Sequence, residues 1–233
     1  MRSRHLSWRF LLALIAVGCF ARAASFDCGK ARTRVEKLIC SNPELSKLDD
    51  DLAAKYKRAA AVAAKFPGPE QTALKENQVT WLKTNVGRCN DAMCINLAYS
   101  DRISALDFYV SEMEGRRTDP DDPTGTYKLV REPTTGDLSV MRLRNGKVRF
   151  AFILTAPGVH SPYTGSLDAT VPLKNGVAEW TDPEAKACHI ELRFSRGSVT
   201  VEQKSICESS FNEHVSAAGV YEKVSGTVPI FSN

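Results

Sequence analysis

The sequence predicts an α+β chain: a disulfide-linked helical half, followed by an antiparallel β-barrel-like half of about eight strands. Three observations predict it. The spacing of apolar residues changes from steps of three and four to strict alternation near the middle of the chain. Asn-Gly pairs stand between alternating runs in the second half. An even set of cysteines remains once an N-terminal export segment is set aside.

The export segment comes first. Met1–Arg9 is basic and polar, Phe10–Phe20 is almost wholly apolar, and Ala21-Arg22-Ala23 has the small-x-small form of a cleavage site. This is the three-part layout of a signal peptide spanning 1–23, and its apolar run is too short for a permanent membrane span. The expected location is periplasmic or secreted, with no transmembrane span in the mature chain. Ala16-Val17-Gly18-Cys19 offers a second route, a loose lipobox that would anchor the chain as a lipoprotein through Cys19. Without residues 1–23, which hold four arginines and no acid, the basic residues fall from 31 to 27, against 27 acidic ones. A chain without net charge gives no footprint for nucleic acid.

The helical half spans 24–115. A short first helix is expected over Ala31–Ile39. Asn42-Pro43 is a start signal, with Asn42 as N-cap and Pro43 at the first helical position. Leu45, Leu48, Leu52, Tyr56 and Ala59 then form one apolar stripe. Asp49, Asp50 and Asp51 read as the solvated early part of that helix, placed to suit its dipole. Phe66-Pro67-Gly68-Pro69 ends it. Leu74, Gln78, Trp81 and Leu82 mark a third helix that Gly87 breaks, and a fourth runs from about Asp91 to Met113. Residues 116–123, with two prolines and three acids, are a linker.

The strand half spans 124–233. Expected strands cover Thr126–Val130, Leu138–Arg144, Val148–Leu154, Ala169–Leu173, Val177–Trp180, Cys188–Phe194, Val199–Gln203 and Gly219–Val224. Asn145-Gly146, Asn175-Gly176 and Arg196-Gly197 supply tight turns. Gly125-Thr126-Tyr127-Lys128 resembles Gly219-Val220-Tyr221-Glu222, so the first and last strands are expected to pair and close the sheet.

Six cysteines in an exported chain read as disulfides. Cys188 and Cys207 lie almost opposite each other across the Arg196-Gly197 turn, which fits a cross-strand bridge. In the helical half two arrangements stay open. Either Cys28–Cys40 and Cys89–Cys94 pair locally, or Cys28 and Cys40 each reach across to the turn between the third and fourth helices. No C-x-x-C pair occurs, and His160, His189 and His214 are scattered, so no metal is expected. Asp119, Asp121 and Asp122 lack the ligand alternation of a calcium loop. No G-x-S-x-G elbow, phosphate loop or H-E-x-x-H occurs, and no catalytic residues or cofactors are expected. The chemistry therefore points to binding and not to an enzyme. The segment Ala156–Tyr163 is longer than a hairpin requires, and long loops tend to carry function. Its His160, Ser161 and Tyr163 are the candidate binding residues, as donors to a carbohydrate-binding cleft.

The helical half also resembles a known family. Glu36, Cys40, Leu45, Leu48, Asp49, Tyr56, Gln78, Trp81 and Cys89 fall on the pattern of the LprI-type domain of exported bacterial proteins, named for a lysozyme-inhibiting lipoprotein. The chain departs from it at Asn85-Val86, where an Arg-Asp pair is common. The strand half is similar only in outline to the small disulfide-bearing barrels of periplasmic lysozyme inhibitors. The resemblance implies an exported non-enzyme that inhibits or binds lysozyme by cleft occlusion. The alternative is a non-inhibitory module that binds another envelope protein or peptidoglycan.

Overall fold

The computed structural model describes residues 24–231 apart from 67, 117, 118, 132, 209, 212 and 213. The expected signal segment and Cys19 lie outside the described residues. No helix among the described residues is long and apolar enough to cross a membrane. Among the described residues four α-helices come first: α1 (Arg34–Ser41), α2 (Pro43–Ala63), α3 (Glu70–Thr84) and α4 (Ala92–Met113). Eight strands follow: β1 (Gly125–Leu129), β2 (Thr135–Arg142), β3 (Lys147–Ala156), β4 (Tyr163–Lys174), β5 (Val177–Thr181), β6 (His189–Ser195), β7 (Ser198–Lys204) and β8 (Gly219–Ser225).

Side-chain caps set the starts of α1, α2 and α4. Thr33 and Glu36 form a capping box: Thr33 Oγ1 accepts from the Glu36 N–H, and the Glu36 carboxylate accepts from the N–H groups of Thr33 and Arg32. Those two backbone donors hold the Glu36 carboxyl below its ordinary range. The box moves the start of α1 to Arg34, three residues later than the apolar pattern suggests. Asn42 Oδ1 accepts from the N–H groups of Glu44 and Leu45, with Pro43 in the first turn. Asp91 accepts from the Cys94 N–H and starts α4.

Inside the bundle, the stripe of α2 packs on α4, but it includes an acid. Asp49 is 7% exposed and is not part of a solvated turn. It sits one turn from both Leu45 and Leu52, on the buried face, and it stays there because donors reach it. Tyr99 Oη bonds one carboxylate oxygen, and the Ser25 N–H and hydroxyl bond the other. Arg102 is buried in the same way, its Nε donating to Gln78 Oε1 at 2.8 Å and its guanidinium lying over the Trp81 ring. Val86, at the position where the family pattern commonly carries an acid, is buried at 3% exposure.

The eight strands form a closed barrel in sequence order, every pair antiparallel, with β1 joined to β8. Gly125 makes this seam possible: its φ is +150°, and a Cβ there would stand 2.2 Å from the Ser225 carbonyl oxygen. The two similar tetrapeptides do the same work on either side of the seam. The Tyr127 hydroxyl donates to the Pro123 carbonyl at 2.5 Å, and the Tyr221 hydroxyl to the Ala217 carbonyl at 2.8 Å. Each buried ring thereby fixes the chain entering its own strand. β4 begins at Tyr163, well before the expected Ala169, and pairs with β3 along ten residues from Ala156↔Tyr163 to Lys147↔Pro172. It meets β5 only at Leu173 and Lys174. Beside the rest of β4, Phe211 bridges Gly165 and fills the barrel end against Phe152.

The cysteines are joined as Cys28–Cys40, Cys89–Cys94 and Cys188–Cys207, with Cα separations of 5.6, 5.4 and 4.9 Å. Each bridge stabilises by about 2–4 kcal/mol, chiefly by restricting the unfolded chain.

The two halves share a hydrophobic core. On β2, Leu138 and Val140 point into the barrel, so the alternation places Met141 outside, yet it is fully buried. The helical bundle covers it, together with Leu143, Val228 and Phe231. Burying a side chain of that size stabilises the contact by about 2 kcal/mol. From the polar segment between α4 and β1, Arg116, Asp119, Asp122 and Thr124 line this junction. Arg116 pairs with Asp122 at 2.5 Å and also donates to Thr124 Oγ1 and the Arg142 carbonyl.

Candidate functional site

Three surface features are candidates for contact with another molecule. The first is the connection between the two longest strands, β3 and β4. Pairing of Ala156 with Tyr163 leaves residues 157–162 as the loop proper. The backbone folds tightly on itself: a Cβ on Gly158 would lie 2.0 Å from the Ser161 carbonyl oxygen, so only glycine fits. Val159 stands at the tip, 88% exposed. His160 and Ser161 are exposed beside it.

Tyr163 is different. It is the first residue of β4, half-buried, packed on the barrel core, with its ring centroid 4.3 Å from that of His214. The structure therefore brings His160 and Ser161 together at the tip and sets Tyr163 at the base, where it anchors the loop. A loop held at both ends and pinched by Gly158 loses little freedom on meeting a partner.

The second surface lies on the helical half. Met93 is 74% exposed and Leu97 59%, one turn apart on α4. With Asn42, Glu44 and Asn96 they line a shallow groove of about 270 Å³. The sequence pattern did not mark it, because Met93 and Leu97 sit off the α4 stripe and read as ordinary scattered surface residues.

The third is a cleft of about 250 Å³ where the halves meet, between Phe66, Glu70, Arg116, Asp122, Lys223 and Val228. Glu70 accepts the Val228 N–H, and burial raises its carboxyl above the ordinary range. Burial lowers the Lys223 ammonium, whose Nζ donates to the Asp122 carbonyl. These groups are occupied by one another, and the cleft reads as a junction holding the halves together.

His189 lies on β6 with Nδ1 3.0 Å from Thr181 Oγ1, remote in sequence from the loop residues. The six disulfide-bonded cysteines have no thiol to offer as nucleophiles.

Comparison with known proteins adds one finding. Residues 27–118 match the family model described as "Lysozyme inhibitor LprI". The match takes in α1 to α4 and the α4-side groove, and it ends before β1. No curated protein and no solved structure matches the chain.

Proposed function

We propose, from the LprI match over residues 27–118, that the protein is an exported lysozyme inhibitor. In this reading the helical half and the barrel are one rigid body, and the 157–162 loop enters the substrate cleft of the lysozyme. The match to a lysozyme-inhibitor family is the observation that carries the reading. The compact loop, with Val159 at its tip and His160 and Ser161 beside it, supports the mode of action. Ring nitrogens and a hydroxyl are the groups that pair with the carboxylates of a carbohydrate-cleaving site.

Three disulfides require an oxidising compartment, and residues 1–23 have the layout of an export signal, which together favour the periplasm or the exterior. Anchoring as a lipoprotein through Cys19 is the alternative. The mature chain has no net charge to steer a basic partner, so inhibition should depend little on ionic strength.

The test is titration of the mature protein into a lysozyme turbidity assay. Stoichiometric inhibition is expected, weakened about tenfold by the combined His160→Ala and Ser161→Ala substitutions. Failure to inhibit any lysozyme class at micromolar excess removes the proposal. A second reading, non-inhibitory binding of an envelope protein or peptidoglycan, is favoured by the exposed Met93–Leu97 pair within the matched half. Recovery of a partner that Met93→Ser releases, while lysis proceeds unhindered, would select it.

A further inference from the structure

The outer wall of the barrel carries an arrangement that strand physics disfavours. Glu179 on β5 stands directly opposite Glu191 on β6, and Glu191 stands opposite Glu202 on β7. Residues so paired share one face of the sheet, and like charges in that relation weaken it. His189 lies two residues from Glu191 on the same face, opposite Thr181. The ligand atoms of Glu179, His189 and Glu191 all lie within 4.8 Å of one another.

That spacing is close to what a metal ion needs. With bonds of about 2.0–2.2 Å, neighbouring ligand atoms around a tetrahedral zinc ion are separated by about 3.3 Å. Small side-chain rotations close the difference, because all three residues stand on paired strands whose backbone is fixed. Two further features support a site. The Glu191 side chain is only 9% exposed, an uncommon degree of burial for a carboxylate on the outside of a barrel. Thr181 Oγ1 holds His189 Nδ1 at 3.0 Å, the kind of outer contact that orients a ligating imidazole.

We propose that Glu179, His189 and Glu191 bind a divalent transition-metal ion of the zinc type, with a fourth position open to water or to a group of a partner. One imidazole with two carboxylates suits zinc better than calcium, which takes oxygen ligands alone, or copper(I), which favours sulfur. Arg193 pairs with Glu191. Its side chain is 55% exposed, so it can swing into solvent as the ion arrives. The site opens beside a groove lined by Pro172, Lys174 and Asn175, which gives a coordinated partner group room to approach. The site stands apart from the 157–162 loop, so it holds or fails independently of the lysozyme reading.

The experiment is calorimetric titration of zinc chloride alone into the EDTA-treated, disulfide-intact mature protein. One ion per chain is expected, with affinity at least about tenfold lower in both His189→Ala and Glu179→Gln and unchanged in His160→Ala. Glu179 is exposed, so Glu179→Gln tests the site even if His189→Ala fails to fold. No binding up to about 1 mM zinc, or affinity unaltered in Glu179→Gln, overturns the proposal.

Discussion

The Tyr99 hydroxyl donates to Asp49 Oδ1 at 3.0 Å, tying α4 to α2 from inside the bundle. Asp49 Oδ2 takes the Ser25 N–H at 2.8 Å and the Ser25 hydroxyl at 2.6 Å, which fastens the start of the described chain to the same carboxylate. Burial, with the carboxylate beside it, keeps the Tyr99 hydroxyl protonated well above the ordinary tyrosine range. Asp49→Ala would strand a buried hydroxyl and a backbone N–H together. We expect it to cost about 2–3 kcal/mol in urea denaturation, against about 1 kcal/mol for Tyr99→Phe, which removes only one donor. Equal losses from the two substitutions would contradict this assignment.

Arg116 plays a comparable part between the halves. Its guanidinium is 12% exposed and meets Asp122, Thr124 and the Arg142 carbonyl. Around it, Met141 and Phe231 from the barrel side pack in the core of the helical bundle, and Arg149 lies over the rings of both Phe108 and Phe231. A shared core implies shared unfolding. Scanning calorimetry should show a single transition for the native protein. Arg116→Ala, by leaving the half-buried Asp122 without its closest cation, should cost about 2 kcal/mol and begin to separate the halves into two transitions. Two resolved transitions in the unaltered protein would show that the halves unfold separately.

Much of this architecture was legible in the sequence, and the illegible parts share a cause. The Asn-Gly turns and the paired tetrapeptides around Tyr127 and Tyr221 are local signals, and they led to a closed eight-stranded barrel. Asn42-Pro43 marked a helix start by its own side-chain chemistry, and the apolar pattern placed the start of the fourth helix at about Asp91. Asp49 is illegible from composition, which treats an acid as solvated, because its burial depends on Tyr99, fifty residues away, and on Ser25. The early start of β4 was hidden because Gly165 and Ser166 have weak strand propensity, and pairing with the long β3 overrides it. Met141 gave no sign that the outer barrel wall meets the helices, since alternation states only which side of a strand a residue faces. Glu179 and His189 belong to different strands, and only the β5–β6 register sets them together. The loop at 157–162 was visible as excess length, but the division of labour between its tip and Tyr163 required the pairing of Ala156.

The cleft between the halves should make stability depend on pH through Glu70. Burial raises its carboxyl above the usual 4.5, an effect that outweighs the opposing Val228 N–H and the Arg116 charge. The folded state therefore holds this proton more firmly than the unfolded chain. As pH rises from the unfolded value through the raised folded one, the unfolded chain releases the proton first, and the native protein loses stability over that interval. Glu70→Gln keeps an oxygen to accept the Val228 N–H and removes the charge. Its melting temperature relative to the native protein should accordingly move upward between pH 4 and pH 7 in low-salt buffer. A difference that stays constant, or moves downward, would mean that the Val228 N–H and Arg116 stabilise the Glu70 carboxylate at least as much as its burial penalises it.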